Sequence, residues 1–183
     1  MSRISHLLCF IFLSLMCNQI IAADSENQLE LNRSAPIFVL RDLNGNDVFL
    51  RDYCGDLRQP WKNKIQHVVI LSFFTSYCQP CLKEIPILEK FAINYKDQDL
   101  KIFLLNLGES AETVQRYLND KGFKLPVLLD KYAVVAKKYQ VTSVPGIFVI
   151  DRAGNLIWKS KGYNPDLADS LDKVLEQQFK RIE

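Results

Sequence analysis

Two cysteines, Cys78 and Cys81, stand three positions apart in the segment Cys-Gln-Pro-Cys. The pair follows an apolar run at residues 67–74 and precedes a segment with helical periodicity, which places it at the start of a helix. Cysteines at positions i and i+3 of a first helical turn come within disulfide distance. The free N–H groups and partial positive charge of a helix N-terminus stabilise a thiolate. We therefore expect Cys78 to be a nucleophile with a depressed pKa, and Cys81 to be the resolving thiol that attacks a mixed disulfide formed at Cys78.

The same cysteine spacing also occurs in zinc sites and in structural disulfides. A zinc site needs a second pair of ligands, and beyond residue 23 the other candidates are only Cys54 and His67. This scarcity favours a redox pair without a metal, and a purely structural disulfide stays open as an alternative. For Cys54 three roles stay open: an inert free thiol, a partner for another protein, and a third member of a redox relay.

The first 23 residues have the layout of a secretory signal peptide. Arg3 gives a positive start, residues 7–17 are almost wholly apolar, and Ala22-Ala23 places small residues at a cleavage point. A membrane span needs about 20 apolar residues, so we predict cleavage and export. An uncleaved anchor over residues 4–22, which would also export the protein, and a buried N-terminal helix are the alternatives.

Composition limits the classes of partner. Of the 183 residues, 48% are hydrophobic and 24% are charged, which is enough apolar material for one globular core. A net charge of +2 gives no reason to propose nucleic acid or an anionic membrane surface as a partner. We predict a flexible polar lead-in at residues 24–35 and a single domain over residues 36–183.

The remaining pattern alternates strands with helices. Residues 67–74 form a nearly continuous apolar run, typical of a strand buried on both faces. Asn44-Gly45 is typical of a type I′ hairpin turn, in which both central residues have positive φ. We predict strands at 37–41, 48–50, 67–74, 100–107, 125–129, 146–151 and 156–160, and helices at 83–95, 110–121, 131–139 and from about 165 onward. This order indicates an α/β domain with a mixed central sheet flanked by helices, preceded by an N-terminal β-hairpin.

Three motifs, in the same order, resemble the TlpA/ResA-like branch of the thioredoxin superfamily. They are Tyr-Cys-Gln-Pro-Cys (77–81) followed by Glu-Ile-Pro (84–86), the hairpin FVLRDLNGNDVFL (38–50), and TSVPGIFVIDRAGNLI (142–157). The resemblance covers about residues 36–180, nearly the whole chain beyond the N-terminal segment. It implies a thioredoxin-like fold and thiol–disulfide oxidoreductase activity.

The resemblance assigns a proton-handling role to Glu84. It implies that this glutamate, three residues past Cys81, is partly buried beside the cysteine pair, where it could take the proton of Cys81 and tune its pKa. The alternative is a solvated surface glutamate paired with Lys83. Thioredoxins proper carry a buried aspartate where this chain has Ser72, a departure that leaves more of the proton transfer to Glu84.

Three further residues are candidate substrate contacts. Val144-Pro145 matches the family's cis-proline loop, which lies against the disulfide and leaves the backbone of Val144 to pair with an extended substrate segment. An ordinary trans proline that starts a strand is the alternative. Tyr77, directly before Cys78, is expected on an apolar rim of the site.

Together these features predict an exported, periplasmic enzyme that reduces protein disulfides through Cys78 and Cys81 and uses no cofactor. Its electrons would come from a membrane thiol donor. The resemblance implies exported disulfide-containing proteins as substrates, with apocytochrome c among them. Two alternatives stay open. Thr75, three residues before Cys78, imitates part of a peroxiredoxin-type peroxidase site, although Leu71 stands where that site expects a proline. A non-enzymatic binding module with a structural disulfide is the other.

Overall fold

The structure of the protein, a computed structural model, describes residues 29–60, 62 and 64–180. The predicted signal peptide and residues 24–28 of the predicted lead-in lie outside this part of the chain. Within the described residues, no helix has both the length and the apolar character required to cross a membrane. From Leu31 onward the described residues belong to one compact unit.

The two longest apolar runs of the described residues form the middle of the sheet. They become β4 (Val68–Phe74), in which every side chain is buried, and β5 (Leu100–Leu107). Side chains of a strand that is covered on both faces must be apolar on both, which explains the nearly continuous pattern. β4 and β5 pair in parallel along the whole of β4, ending with Phe74 opposite Asn106.

The other elements follow the predicted alternation of strands and helices. They are β1 (Arg33–Ser34), β2 (Val39–Asp42), β3 (Asp47–Phe49), α1 (Cys81–Asn94), α2 (Ala111–Lys121), β6 (Val127–Asp130), α3 (Val134–Lys138), β7 (Gly146–Ile150), β8 (Asn155–Lys161) and α4 (Leu167–Phe179). In the described residues the strands form one sheet in the order β1-β8-β7-β4-β5-β6-β2-β3. The mixed central sheet and the hairpin β2–β3 predicted from the sequence are both present.

Chain connections of β4, β5, β7 and β8 lie at one edge of this sheet. β4 and β5 are parallel, so the turns that follow them lie at the same edge. β7 runs antiparallel to β4, with Gly146 opposite Phe73, so the segment before β7 lies there too. β8 is antiparallel to β7 and ends with Lys161 opposite Gly146. Residues that follow β4, β5 and β8 and residues that precede β7 are therefore brought together by strand direction alone.

Two local predictions were wrong. The β2–β3 connection is not a type I′ turn, because Gly45 has a φ of 83° whereas Asn44 is not among the residues with positive φ. The carboxylate of Asp42 accepts the N–H groups of Asn44 and Asn46 and stabilises a four-residue loop instead. Arg33 and Ser34 were predicted to lie in the flexible lead-in, but they form β1 and pair with β8. Without β1, the outer side of β8 would present unpaired N–H and C=O groups.

The redox cysteines are part of the core. Cys78 and Cys81 belong to one buried cluster with Ile85 and Leu88 of α1 and with apolar residues of β4, β5, β7 and α4. Tight packing around the pair fixes the position of both sulfurs relative to the sheet.

The segment that follows β3 is tied to the β7–β8 turn at Gly55. The N–H of Gly55 donates to the carbonyl of Arg152 over 2.9 Å. A Cβ added to Gly154 would lie 2.9 Å from the Cα of Gly55, whereas a Cβ added to Gly45 would meet no atom within 4 Å. Close backbone approach, rather than conformation alone, therefore requires glycine at position 154.

These two glycines form a matched pair for a stability test. Gly45 and Gly154 have nearly the same φ (83° and 85°), so replacement by alanine strains the backbone equally, by about 1–2 kcal/mol. Gly154→Ala adds a clash with the Gly55 backbone, for which overpacking costs about 1–3 kcal/mol more. We expect Gly154→Ala to lower the free energy of unfolding in guanidinium chloride clearly more than Gly45→Ala does. Equal losses would contradict the close contact.

Candidate active site

The cysteine pair lies between the end of β4 and the first residue of α1. Cys78 and Cys81 are bridged by a disulfide, with Cα atoms 5.3 Å apart. Cys78 is 6% exposed and Cys81 is 1% exposed. Both residues are therefore buried, and Cys78 is the less buried of the two.

The helix starts two residues earlier than the predicted Lys83, but still after Cys78. α1 begins at Cys81 with Pro80 as its N-cap residue, so Cys78 lies in the turn before the helix and not on its first turn. The N–H of Cys81 still points at Cys78 and donates to its Sγ over 3.2 Å. The N–H that opens the helix therefore serves the outer sulfur directly, and such a donor stabilises negative charge on sulfur.

Glu84 is buried, and not the surface partner of Lys83. Its side chain is 1% exposed, whereas Lys83 is not buried. Burial raises the pKa of the Glu84 carboxyl, and a hydrogen bond from the backbone N–H of Asn164 to Oε1 partly offsets this. Among the described residues Oε2 has no hydrogen-bond partner. A carboxyl in this setting binds a proton more tightly than a solvated one.

The Val144–Pro145 peptide bond is cis, as the family resemblance implied. The carbonyl of Pro145 accepts the N–H of Gly162 over 2.8 Å. Val144 packs against the cluster that contains Cys78 and Cys81. Among the described residues the backbone of Val144 makes no hydrogen bond.

Tyr77 lies on the surface beside the pair, whereas Phe74, at the end of β4, lies in the core. Tyr77 is 75% exposed, directly before Cys78, while Phe74 is fully buried against Tyr117. An exposed aromatic ring beside a reactive sulfur offers apolar surface to a bound peptide. Tyr77 therefore stays a candidate substrate contact, and Phe74 packs in the core.

A polar cluster that no sequence motif predicted lies at the turn before Cys78. Glu109, two residues past the end of β5, accepts hydrogen bonds from the N–H of Ser76 (2.7 Å), from Ser76 Oγ and from Asn106 Nδ2 (2.6 Å). Partial burial opposes ionisation of Glu109, but these hydrogen bonds outweigh it and hold its pKa below the usual range. Parallel pairing of the two central strands was the available signal, because it predicts that the residues after each strand meet.

Cys54 is buried and free. Burial raises the pKa of its thiol to about 12, and Asp151 contributes to the rise. A thiol that stays protonated at neutral pH is a poor nucleophile. This environment favours the inert role among the three that the sequence left open.

Comparison with known proteins agrees with this geometry. The model of the AhpC/TSA family matches residues 31–159. The thiol-disulfide oxidoreductase ResA of Bacillus thuringiensis subsp. konkukian is 30% identical over 157 residues, which span 86% of this chain and 81% of the relative. The ResA of Bacillus subtilis is 32% identical over 123 residues, spanning 67% of this chain and 63% of the relative.

Solved structures show the same fold. The thioredoxin domain of a thiol-disulfide oxidoreductase from Bacteroides vulgatus superposes with a TM-score of 0.66 at 25% identity, covering 80% of this chain and 99% of that domain. A thiol:disulfide interchange protein from a Bacteroides species superposes with a TM-score of 0.65 at 24% identity, covering 79% of this chain and 90% of that protein. The thioredoxin-like fold predicted from the sequence is confirmed.

Fold and site together define a thioredoxin-like thiol–disulfide oxidoreductase. More particularly, the chain belongs to the AhpC/TSA family and groups there with the ResA-type thiol-disulfide oxidoreductases. A binding module without enzymatic activity, one of the alternatives left open by the sequence, does not agree with these relatives.

The raised pKa of Glu84 predicts a pH dependence of stability. Because its pKa lies above the ordinary value of 4.5, the folded state holds the Glu84 proton more tightly than the unfolded state does. The free energy of unfolding therefore falls as pH rises through the folded-state pKa, by about 1.4 kcal/mol for each pH unit that separates the folded and unfolded pKa values. Glu84→Gln removes this titration, so we expect oxidised wild-type protein to lose stability relative to the variant between about pH 4 and pH 8.

Guanidinium unfolding curves of the disulfide forms across that range measure the difference. Glu112→Gln is the matched control, because Glu112 is exposed and forms an ion pair with Arg116 on the surface of α2. Any constant offset caused by the new amide leaves the slope against pH unchanged. Parallel curves for wild type and Glu84→Gln would contradict the perturbed carboxyl.

Proposed function

We propose that this protein is an exported dithiol reductant of protein disulfides, with Cys78 as nucleophile, Cys81 as resolving thiol and Glu84 as proton acceptor. The observation that carries the proposal is the Cys81 N–H, which donates to the outer sulfur of a bridged pair. The Cys81 N–H thereby favours the thiolate form of Cys78, which is the less buried of the two cysteines.

The reaction consists of two exchanges. The Cys78 thiolate attacks a substrate disulfide, forms a mixed disulfide, and releases the other substrate sulfur as a thiolate that takes up a proton. Cys81 then loses its proton and attacks Cys78 Sγ. The Cys78–Cys81 disulfide forms, the mixed disulfide breaks, and the second substrate thiolate leaves. Two electrons have passed from the dithiol to the substrate.

Glu84 suits the second exchange. Cys81 is almost fully buried, so its proton needs an acceptor inside the protein. Glu84 lies one helical turn further along α1, on the same face as Cys81. A buried carboxyl with a raised pKa and, among the described residues, an unpartnered oxygen is a better proton acceptor than a solvated carboxylate.

Substrate recognition is assigned to Val144, Pro145 and Tyr77. The backbone of Val144 can pair with an extended segment as an added strand, which is independent of the substrate's side chains. The exposed ring of Tyr77 adds apolar contact beside Cys78. Both features recognise a locally extended chain around a disulfide, so the substrate is a protein disulfide and not a small-molecule disulfide.

The setting of the reaction follows from the N-terminal segment and from the relatives. A signal peptide at residues 1–23, or an anchor over residues 4–22, would place the domain in the periplasm, with a membrane thiol protein as electron donor. The relatives named ResA are thiol-disulfide oxidoreductases, and the family resemblance points to apocytochrome c among the exported substrates. No soluble cofactor is required, since the electrons arrive by a further thiol–disulfide exchange.

A trapping experiment tests the chemistry. Cys81→Ser cannot resolve the mixed disulfide, so we expect it to accumulate a covalent complex with insulin or with exported proteins of the native host. Cys78→Ser should form none and should lose insulin reduction by at least about 10³-fold, as expected when a nucleophile is removed. Cys54→Ser serves as the thiol control and should behave as wild type.

The outcomes of trapping separate the alternatives. Complexes with cytochrome c precursors alone support the maturation role, and a broad set of exported proteins contradicts that narrower claim. Consumption of hydrogen peroxide far faster than by free thiol would favour the peroxidase alternative, for which the buried Thr75 hydroxyl, unpartnered among the described residues, is the supporting feature. Insulin left intact by wild-type protein would overturn the reductase.

Tyr77 is tested by separating binding from chemistry. We expect Tyr77→Ser to raise KM for a protein disulfide about fivefold, which corresponds to about 1 kcal/mol of lost contact. Reaction with a small disulfide reagent should not change, because that reagent does not reach the rim. Tyr132→Ser is the matched control, since Tyr132 is similarly exposed (79%) but lies in the β6–α3 connection. Equal effects of both variants would remove Tyr77 from the substrate site.

A further inference from the structure

Glu109 makes more hydrogen bonds to the active-site turn than a surface loop residue requires. Its carboxylate accepts the backbone N–H and the hydroxyl of Ser76, and it also accepts Nδ2 of Asn106. Ser76 belongs to the turn that leads from β4 to Cys78. The mechanism derived above uses none of these three residues.

The glutamate is itself held from the opposite side. Asn106 is fully buried in β5, directly opposite Phe74 at the end of β4. Its Oδ1 accepts the backbone N–H of Glu109 over 3.3 Å, so Asn106 binds both the main chain and the carboxylate of Glu109. A buried amide with both ends satisfied is a rigid support. Glu109 therefore anchors the turn to the central strand pair of the sheet.

Anchoring at Ser76 reaches Cys78 through a short path. The N–H of Cys78 donates to the carbonyl of Thr75 over 3.1 Å, which closes the turn around Ser76. The Sγ of Cys78 in turn receives the N–H of Cys81. If the turn loosened, Cys78 would move relative to α1 and this donor to the sulfur would weaken.

We propose that Glu109 is a positioning residue for thiol–disulfide exchange: by binding Ser76 it holds Cys78 where the Cys81 N–H stabilises the thiolate. The proposal rests on the nucleophilic role proposed for Cys78. Glu109 acts through the turn and touches neither the substrate nor the reacting sulfurs.

If Glu109 acted on Cys78 only through its negative charge, its removal would change the pKa of Cys78 in the opposite direction from a loss of positioning. A carboxylate near Cys78 disfavours the thiolate, so removal of the charge alone would lower the pKa of Cys78 and speed its reactions. Loss of positioning would raise that pKa and slow the reactions. The sign of the change therefore distinguishes the two roles.

Glutamine and alanine at position 109 separate geometry from charge. A glutamine carbonyl can accept the N–H of Ser76 and Nδ2 of Asn106, while its NH₂ group donates to Ser76 Oγ, which then acts as acceptor. Glu109→Gln thus keeps the arrangement without the charge, and Glu109→Ala removes both. Ser76→Ala is a milder variant that keeps the charge and loses one hydrogen bond.

The test measures Cys78 in a Cys81→Ser background, where Cys78 is the reactive thiol. Iodoacetamide alkylation rates and thiolate absorbance are recorded against pH, and insulin reduction is measured in variants that retain Cys81. We expect Glu109→Ala to slow alkylation below the pKa about tenfold, which is the change in thiolate fraction when the pKa of Cys78 rises by about one. The alkylation rate of Glu109→Gln should stay within about twofold of the wild-type rate. The rate of Ser76→Ala should lie between those of Glu109→Gln and Glu109→Ala, since neutral hydrogen bonds contribute less than charge-assisted ones. Glu112→Ala, on exposed α2 surface, is the control.

Each result decides the proposal. Slow Glu109→Ala with near-normal Glu109→Gln supports positioning; equal rates for wild type and Glu109→Ala, or faster rates in both variants, overturn it. If circular dichroism shows that Glu109→Ala is unfolded, Ser76→Ala decides, and an unchanged rate there overturns the proposal. Failure of wild-type protein to reduce insulin would sink the proposed function alone, because alkylation of Cys78 needs no substrate.

Discussion

The parallel pairing of β4 with β5 is the constraint on which the site depends. Because the two strands run side by side in the same direction, the chain must leave each of them at the same edge of the sheet. Cys78 lies in the connection that follows β4, and Glu109 lies in the connection that follows β5. Antiparallel β7 and β8 bring the Val144–Pro145 bond and the segment after Lys161 to the same edge. One pairing pattern thereby assembles groups that are far apart in the chain.

Two glutamates at this edge lie in opposite environments. Glu84 is buried with one N–H donor, so desolvation dominates and raises its pKa. Glu109 is also partly buried, but several donors converge on it and lower its pKa. One carboxyl is thus suited to exchange a proton, and the other to stay charged and hold backbone in place. Environments that push the pKa values of paired carboxyls apart are a recurrent way to divide roles within a site.

Local chemistry made much of the site predictable, and long-range contacts made the rest unpredictable. Cys78 and Cys81 were predicted as a redox pair because cysteines three positions apart at a strand–helix junction come within disulfide distance. Asn44-Gly45 marked a hairpin correctly, but its turn type was decided by Asp42, whose carboxylate bonds to the loop. Glu109 was missed because its neighbours in the chain do not indicate Ser76, 33 residues away, and only the parallel pairing of β4 with β5 brings the two residues together.

The sequence by itself determined the alternation of strands and helices and the pair of redox cysteines, because each depends on residues within about one element of each other, and the family resemblance implied the cis proline. Tertiary structure decided which hydrogen-bond partners the acidic side chains of the site have. Glu84 meets the N–H of Asn164 across 80 residues, and Glu109 meets Ser76 across 33. Hydrogen bonds and desolvation act over a few ångströms, so their effect on a carboxyl is set only when the sheet has brought distant segments together.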